Sequence, residues 1–156
     1  MKKRLGVAVV FVFIICLAIY NYAYSEGEGD TMIQQTMLQQ VFEESKMKDG
    51  VKEISYDQFM KIMDSGEEFI LLDVLPSDSY DKGHIDGAVS FPVGTINEES
   101  AANKLSKDSK VVVYCGSFQC SASTEAAKKL SALGYNVVDY KGGLKEWQEK
   151  GNSLVE

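Results

Sequence analysis

A run of 23 residues, Val111 to Leu133, constrains the fold more than any other stretch of this chain. Val111, Val112 and Val113 are β-branched and apolar, as a short buried strand requires. Ala122, Ala126, Ala127, Leu130 and Leu133 then recur at a spacing that fits one face of a helix. Between the two sits Cys115-Gly-Ser-Phe-Gln-Cys120, followed by Ser121. A thiol at the carboxyl end of a buried strand, facing a helix start, lies where unpaired backbone N–H groups and the helix dipole both favour a thiolate. A plain buried core cysteine is the competing reading of Cys115.

The flanking sequence extends the same alternation. Val51 to Ile54 reads as a short strand. Ser55 followed by Gln58 fits a capping box, and Tyr56, Phe59, Met60 and Met63 have helical spacing. Phe69 to Val74 reads as a buried strand, Pro76 to Lys82 as a short helical or turn segment, and Gly83 to Ala88 as a glycine-bounded turn into a strand at Val89 to Phe91. Asn97 to Leu105 is expected to be helical. Gly134 ends the helix that begins near Ala122. Asn136 to Tyr140 is a further strand, and Gly142-Gly143 turns into a last helix carrying Leu144 and Trp147. Strands alternating with helices predict an α/β fold with a mostly parallel sheet covered on both faces. Ligands bind such sheets at the carboxyl ends of the strands, and Cys115 stands at one of those ends.

The amino-terminal part has a different character. Lys2, Lys3 and Arg4 precede 16 unbroken apolar residues, Leu5 to Tyr20, and small residues at Ala23 and Ser25 are spaced as at a cleavage point after Ser25. This is the pattern of an export signal, with an uncleaved membrane anchor as the alternative. Export predicts a periplasmic or extracellular location. Ile15 before Cys16 argues against lipid attachment at that cysteine. Three of the 16 basic residues and none of the 23 acidic ones lie in Met1 to Ser25, which leaves a formal net charge of −10 beyond it. The chain's one arginine, Arg4, is in that leader. An acidic, arginine-free domain is poorly suited to nucleic acid, to anionic membrane surfaces, or to guanidinium-based phosphate recognition. The expected organisation is a leader at 1–25, a linker and amphipathic helix at 26–50, and a main domain at 51–156. The helix is placed at Thr31 to Met47, with Ile33, Met37, Leu38, Val41 and Phe42 on its apolar side. Packing on the main domain is its default role, with membrane tethering or partner binding as the others.

Four motifs in order carry a resemblance. LLDV at Leu71 to Val74, GHIDGA at Gly83 to Ala88, VVYC at Val112 to Cys115 and GGLKEW at Gly142 to Trp147 resemble a single-domain rhodanese, with matching order and spacing across roughly Val51 to Glu156. The resemblance implies a central, mostly parallel five-stranded sheet flanked by helices. It implies sulfur transfer from a thiosulfate, polysulfide or persulfide donor to a thiophilic acceptor such as a thiol or cyanide. Cys115 is then the sulfur carrier, and Gly116, Ser117, Phe118, Gln119 and Cys120, with the Ser121 amide, form the cradle for the persulfide. Backbone N–H groups above a helix start suit an anionic outer sulfur without side-chain charge. No cofactor and no metal are required.

Departures from the family pattern shape the expectation. Related domains often carry arginine or lysine at the last loop position, where this chain has Cys120, and arginine after the Asp-Val pair, where it has Leu75. Thiosulfate, a dianion, is therefore expected to bind poorly relative to a polysulfide or a small persulfide. Cys120 is a possible resolving cysteine, which opens a thiol–disulfide redox reading; the bland reading is a small apolar residue under the helix. A non-catalytic module that carries sulfur for a protein partner is a third reading. Phosphatase-like loops are one residue longer and rely on arginine, so that reading is set aside. Ser117 and Ser121 are possible hydroxyl donors, Ser121 more simply a cap. His84 is expected to set its turn and Asp73 to brace a loop. Lys141 reads by default as a solvated lysine, and otherwise as the cation the loop lacks. Cys115, Cys120 and His84 make no recognisable zinc pattern.

Overall fold

The computed structural model describes residues 39–43, 46–48 and 50–156. The leader, the linker at Glu26 to Asp30 and the start of the predicted Thr31 to Met47 helix lie outside the described residues. In chain order the elements are β1 (Lys46–Lys48), β2 (Val51–Ile54), α1 (Tyr56–Asp64), β3 (Ile70–Asp73), α2 (Ser77–Tyr80), β4 (Val89–Ser90), a 3-10 turn (Val93–Thr95), α3 (Glu98–Lys104), β5 (Lys110–Tyr114), α4 (Ala122–Ala132), β6 (Asn136–Tyr140) and α5 (Gly143–Glu149).

The sheet runs β1-β2-β6-β5-β3-β4. Five strands, β2 to β6, are parallel, as the α/β alternation predicts. The sixth, β1, is added antiparallel to β2, with Lys46 opposite Glu53 and Lys48 opposite Val51. This corrects the helix expected to reach Met47. Residues 39–43 are helical, with Val41 and Phe42 buried, but the chain then turns into a strand. The physical reason is the open edge of β2, whose backbone groups gain ladder partners when the preceding residues fold back on them. Gly50, at φ +79°, makes the tight reversal possible.

Alternation along β5 decides where the site falls. Side chains two apart share a sheet face. Val111, Val113 and Cys115 therefore point to one side, where they pack with Ala126, Ala127 and Leu130 of α4. Val112 and Tyr114 point to the other, where they pack with Phe59 and Ile62 of α1 and Trp147 of α5. Alanines at 126 and 127 leave little bulk between α4 and the sheet. On the opposite face, Phe59 stacks on Tyr140 with ring centroids 4.6 Å apart. The predicted capping box starts α1: Gln58 N–H donates to Ser55 Oγ (3.3 Å) and Ser55 N–H to Gln58 Oε1 (3.0 Å). Gly134, at φ +84°, follows α4 as expected.

Candidate active site

The loop after β5 is held from below by the start of α5. Leu144 N–H donates to the Cys115 carbonyl (3.0 Å) and Lys145 N–H to the Gly116 carbonyl (2.9 Å). Gly143 has φ +57°, and a Cβ there would lie 2.1 Å from the Cys115 carbonyl oxygen. The Gly-Gly turn is thus a seat for the first residues of the loop. Further along, Cys120 N–H closes a turn onto the Ser117 carbonyl (3.0 Å), and Ser117 Oγ donates to Gln119 Oε1 (3.0 Å). Phe118, at the tip, is 56% exposed.

Cys115 itself is fully buried. Its Sγ lies 3.2 Å from Ser123 Oγ and 3.5 Å from the Cys120 carbonyl oxygen. Burial pushes the Cys115 thiol up from its ordinary pKa, and contact with the Cys120 thiol pushes the same way; the Ser123 hydroxyl and amide oppose both. Cys120 is only partly buried. Burial works against its thiolate as well, but the Cys115 thiol, the Ala122 and Gly116 amides and the Lys141 ammonium outweigh it and bring its pKa down. Each thiol bears on the other, raising the pKa of Cys115 and lowering that of Cys120, so negative charge is favoured on Cys120.

This arrangement differs from the expected one. The amides were expected to converge on the Cys115 sulfur; instead they divide, the Gly116 and Ala122 amides acting on Cys120 and the Ser123 amide on Cys115. Alternation along β5 sends Cys115 under α4, beside the Ser123 end of that helix. Ser121 sits just before α4, yet its hydroxyl caps nothing. Lys141 is not simply solvated: its Nζ donates to the Cys120 carbonyl at the loop.

Sequence reasoning passed over two residues. Ser123, on the first turn of α4 and fully buried, has its hydroxyl against Cys115. Asp139, buried on β6, accepts from Thr124 Oγ1 (2.8 Å) and also faces the Ser123 hydroxyl; burial raises its pKa. The available signal was position, since Ser123 and Thr124 open the helix that follows the loop and Asp139 lies on the neighbouring strand. Asp73 and His84 do what was expected of them. Asp73 Oδ1 accepts from Leu75 N–H (2.9 Å). His84 Nδ1 donates to the Tyr80 carbonyl (3.1 Å), and its ring stacks on Tyr80 at 3.7 Å. A surface groove of about 600 Å³, lined by Glu67, Ile70, Ser106 and Lys110 among others, is at the amino ends of β3 and β5, the opposite end of the sheet from Cys115.

The family model for the rhodanese-like domain matches residues 55–150, the span that holds strands β3 to β6, the loop and the Gly-Gly seat. The chain belongs to the rhodanese-like family. The Bacillus subtilis protein YrkF is 31% identical to it over 107 residues, covering 68% of this chain and 56% of that protein. The chain thus spans little more than half of that relative's length. The thiosulfate sulfurtransferase PspE of Escherichia coli is 33% identical over 75 residues, covering 48% of this chain and 70% of PspE. Among solved structures, the BH2092 protein from Bacillus halodurans superposes with a TM-score of 0.60 at 31% identity, covering 66% of this chain and 75% of that one. The rhodanese-related protein of Thermoplasma volcanium gives a TM-score of 0.55 at 26% identity, covering 66% and 96%.

In this rhodanese-like domain Lys141 brings a positive charge to the Cys120 end of the loop. Removing it takes away a term that favours the Cys120 thiolate. Lys141→Met is therefore expected to move the pH profile of Cys120 alkylation to higher pH, so that alkylation at neutral pH slows. Peptide mapping after iodoacetamide treatment measures it. An unmoved profile would remove Lys141 from the electrostatics of the loop.

Proposed function

We propose that this rhodanese-like domain is a sulfurtransferase that carries sulfane sulfur as a persulfide on Cys115. The observation that carries the reading is the position of Cys115: first residue after β5, on the α4-facing row, with its carbonyl seated on the Gly-Gly turn in a chain of this family. The thiolate is the nucleophile in sulfur transfer, so Cys115 must lose its proton. Cys120, the neighbouring thiol that loses its own proton more readily, is the base that accepts it as the attack proceeds. Cys115 then attacks the outer sulfur of the donor, the donor's remaining thiolate leaves, and the outer sulfur passes to an acceptor thiol or to cyanide.

The charge around the loop favours a singly charged or neutral donor. Lys141 is the cation at the loop, it is engaged with the Cys120 carbonyl, and no arginine follows Arg4. A persulfide or polysulfide suits this better than thiosulfate, a dianion. Pulsing the reduced chain with a polysulfide and weighing it without reductant is expected to show one added sulfur atom on Cys115, or the disulfide that follows from it. A chain that keeps its reduced mass would refute the carrier reading. The leader-like segment Met1 to Ser25 supports an exported location for the domain, which amino-terminal sequencing of the mature protein tests.

A further inference from the structure

Two thiols five positions apart meet inside one turn. Cys120 packs against the core cluster that holds Cys115, and each thiol shifts the proton affinity of the other. Cys115 Sγ is 3.5 Å from the Cys120 carbonyl oxygen, and the turn is closed by the Cys120 N–H on the Ser117 carbonyl. Both cysteines are free. Cys115 is buried and Cys120 reaches toward solvent. In a persulfide on Cys115 the inner sulfur is the Sγ already beside Cys120, whereas the outer sulfur extends beyond it.

On the reading that Cys115 carries a persulfide, we infer that Cys120 resolves it by attacking Cys115 Sγ and expelling the outer sulfur as sulfide. The bond between the two Sγ atoms forms, and the bond between Cys115 Sγ and the outer sulfur breaks. Its electron pair leaves with the outer sulfur, which keeps the persulfide proton and departs as HS⁻. The sulfane sulfur is reduced to sulfide, and the two cysteines are oxidised to a disulfide. An external dithiol then reduces that disulfide and becomes a disulfide itself. The domain is in this scheme a sulfane-sulfur reductase whose first acceptor is its own second cysteine.

The geometry supplies what thiol–disulfide exchange needs. The attacking and attacked sulfurs belong to one closed loop, with Cys115 Sγ 3.5 Å from the Cys120 carbonyl oxygen, so the step is intramolecular. The backbone donors and Lys141 around Cys120 favour its thiolate, the form that attacks. Partial exposure gives a reducing dithiol access to the Cys120 end of the bridge.

The test compares the wild type with Cys120→Ser and Cys115→Ser under argon. Each fully reduced chain receives glutathione persulfide at neutral and at alkaline pH, with protein-free blanks subtracted. Intact mass without reductant and free sulfide are followed together, and circular dichroism confirms that each variant is folded. The wild type is expected to become two hydrogens lighter and to release one equivalent of sulfide per chain. Cys120→Ser is expected to stay one sulfur atom heavier, with sulfide release slower by about 100-fold or more. Cys115→Ser is expected to do neither. A wild type that stays one sulfur heavier, or a Cys120→Ser chain that releases sulfide at the wild-type rate, would overturn resolution by Cys120 and leave the carrier reading standing. A folded Cys120→Ser chain that gains no sulfur at either pH would take the carrier reading down as well.

Discussion

Serine in place of Cys115 is expected to abolish sulfur transfer while leaving the fold intact. A neutral hydroxyl does not attack sulfane sulfur at a useful rate, and losing the nucleophile in a covalent mechanism costs on the order of 10³-fold or more. The rest of the site tolerates the change. Position 115 is fully buried, but the Cys120 carbonyl and the Ser123 hydroxyl lie beside it and offer a serine hydroxyl its partners. Stability should therefore fall by only about 1 kcal/mol. Steady-state transfer from a persulfide donor, read beside a thermal melt, separates the two effects. A variant that keeps more than about a tenth of the wild-type rate would mean that Cys120 or another group is the primary carrier.

The second large effect is expected at Gly143. Alanine there meets two obstacles at once. Its φ of +57° lies in the left-handed region, and its Cβ would stand 2.1 Å from the backbone oxygen of Cys115. Strain and overpacking together are expected to cost roughly 2–5 kcal/mol, lowering the melting temperature by roughly 10 °C or more. The chemistry should suffer beyond the stability loss, because the clash pushes on the carbonyl of the proposed carrier. Misplacing a reacting group by about 1 Å can cost about 100-fold in rate. Gly142→Ala is the milder comparison: its φ is −62°, and the obstructing atoms belong to the Glu146 side chain rather than to backbone. Equal losses at the two glycines, measured as melting temperature and transfer rate well below the melt, would show that the seat under Cys115 has no special role.

The elements were legible where periodicity was strong. The valines of β5, the alanine face of α4, the Ser55–Gln58 box and the glycines at 134 and 142–143 each impose a local geometry that tertiary contacts then use. The strand β1 was not legible in the same way. Three residues, Lys-Met-Lys, are too short and too polar to announce a strand, and the helical spacing upstream ran straight through them. The Asp49-Gly50 pair was the signal available, since such pairs favour hairpin turns.

Within the site, the position of Cys115 could be read, because alternation along a strand fixes which face a side chain takes. The direction of the loop amides could not, because six loop residues carry no period. That is why the donors were all assigned to Cys115 and are found divided between Cys115 and Cys120. Ser123 was missed because a serine early in a helix looks like any polar first-turn residue until the strand beneath it is in place. Lys141 was read by default as solvated, with the loop cation as the alternative, because its reach to the Cys120 carbonyl depends on how β6 lies beside β5.

The ends of the sheet have a consequence of their own. Its border strands are β1, with three residues, and β4, with two. So few exposed main-chain groups make a poor template for zippering onto another polypeptide, and an exposed lysine at position 48 adds charge at one border. These short borders turn strand-to-strand docking away from the sides of the sheet and leave the apex of the site, where Phe118 projects into solvent, as the face open to side-chain contact.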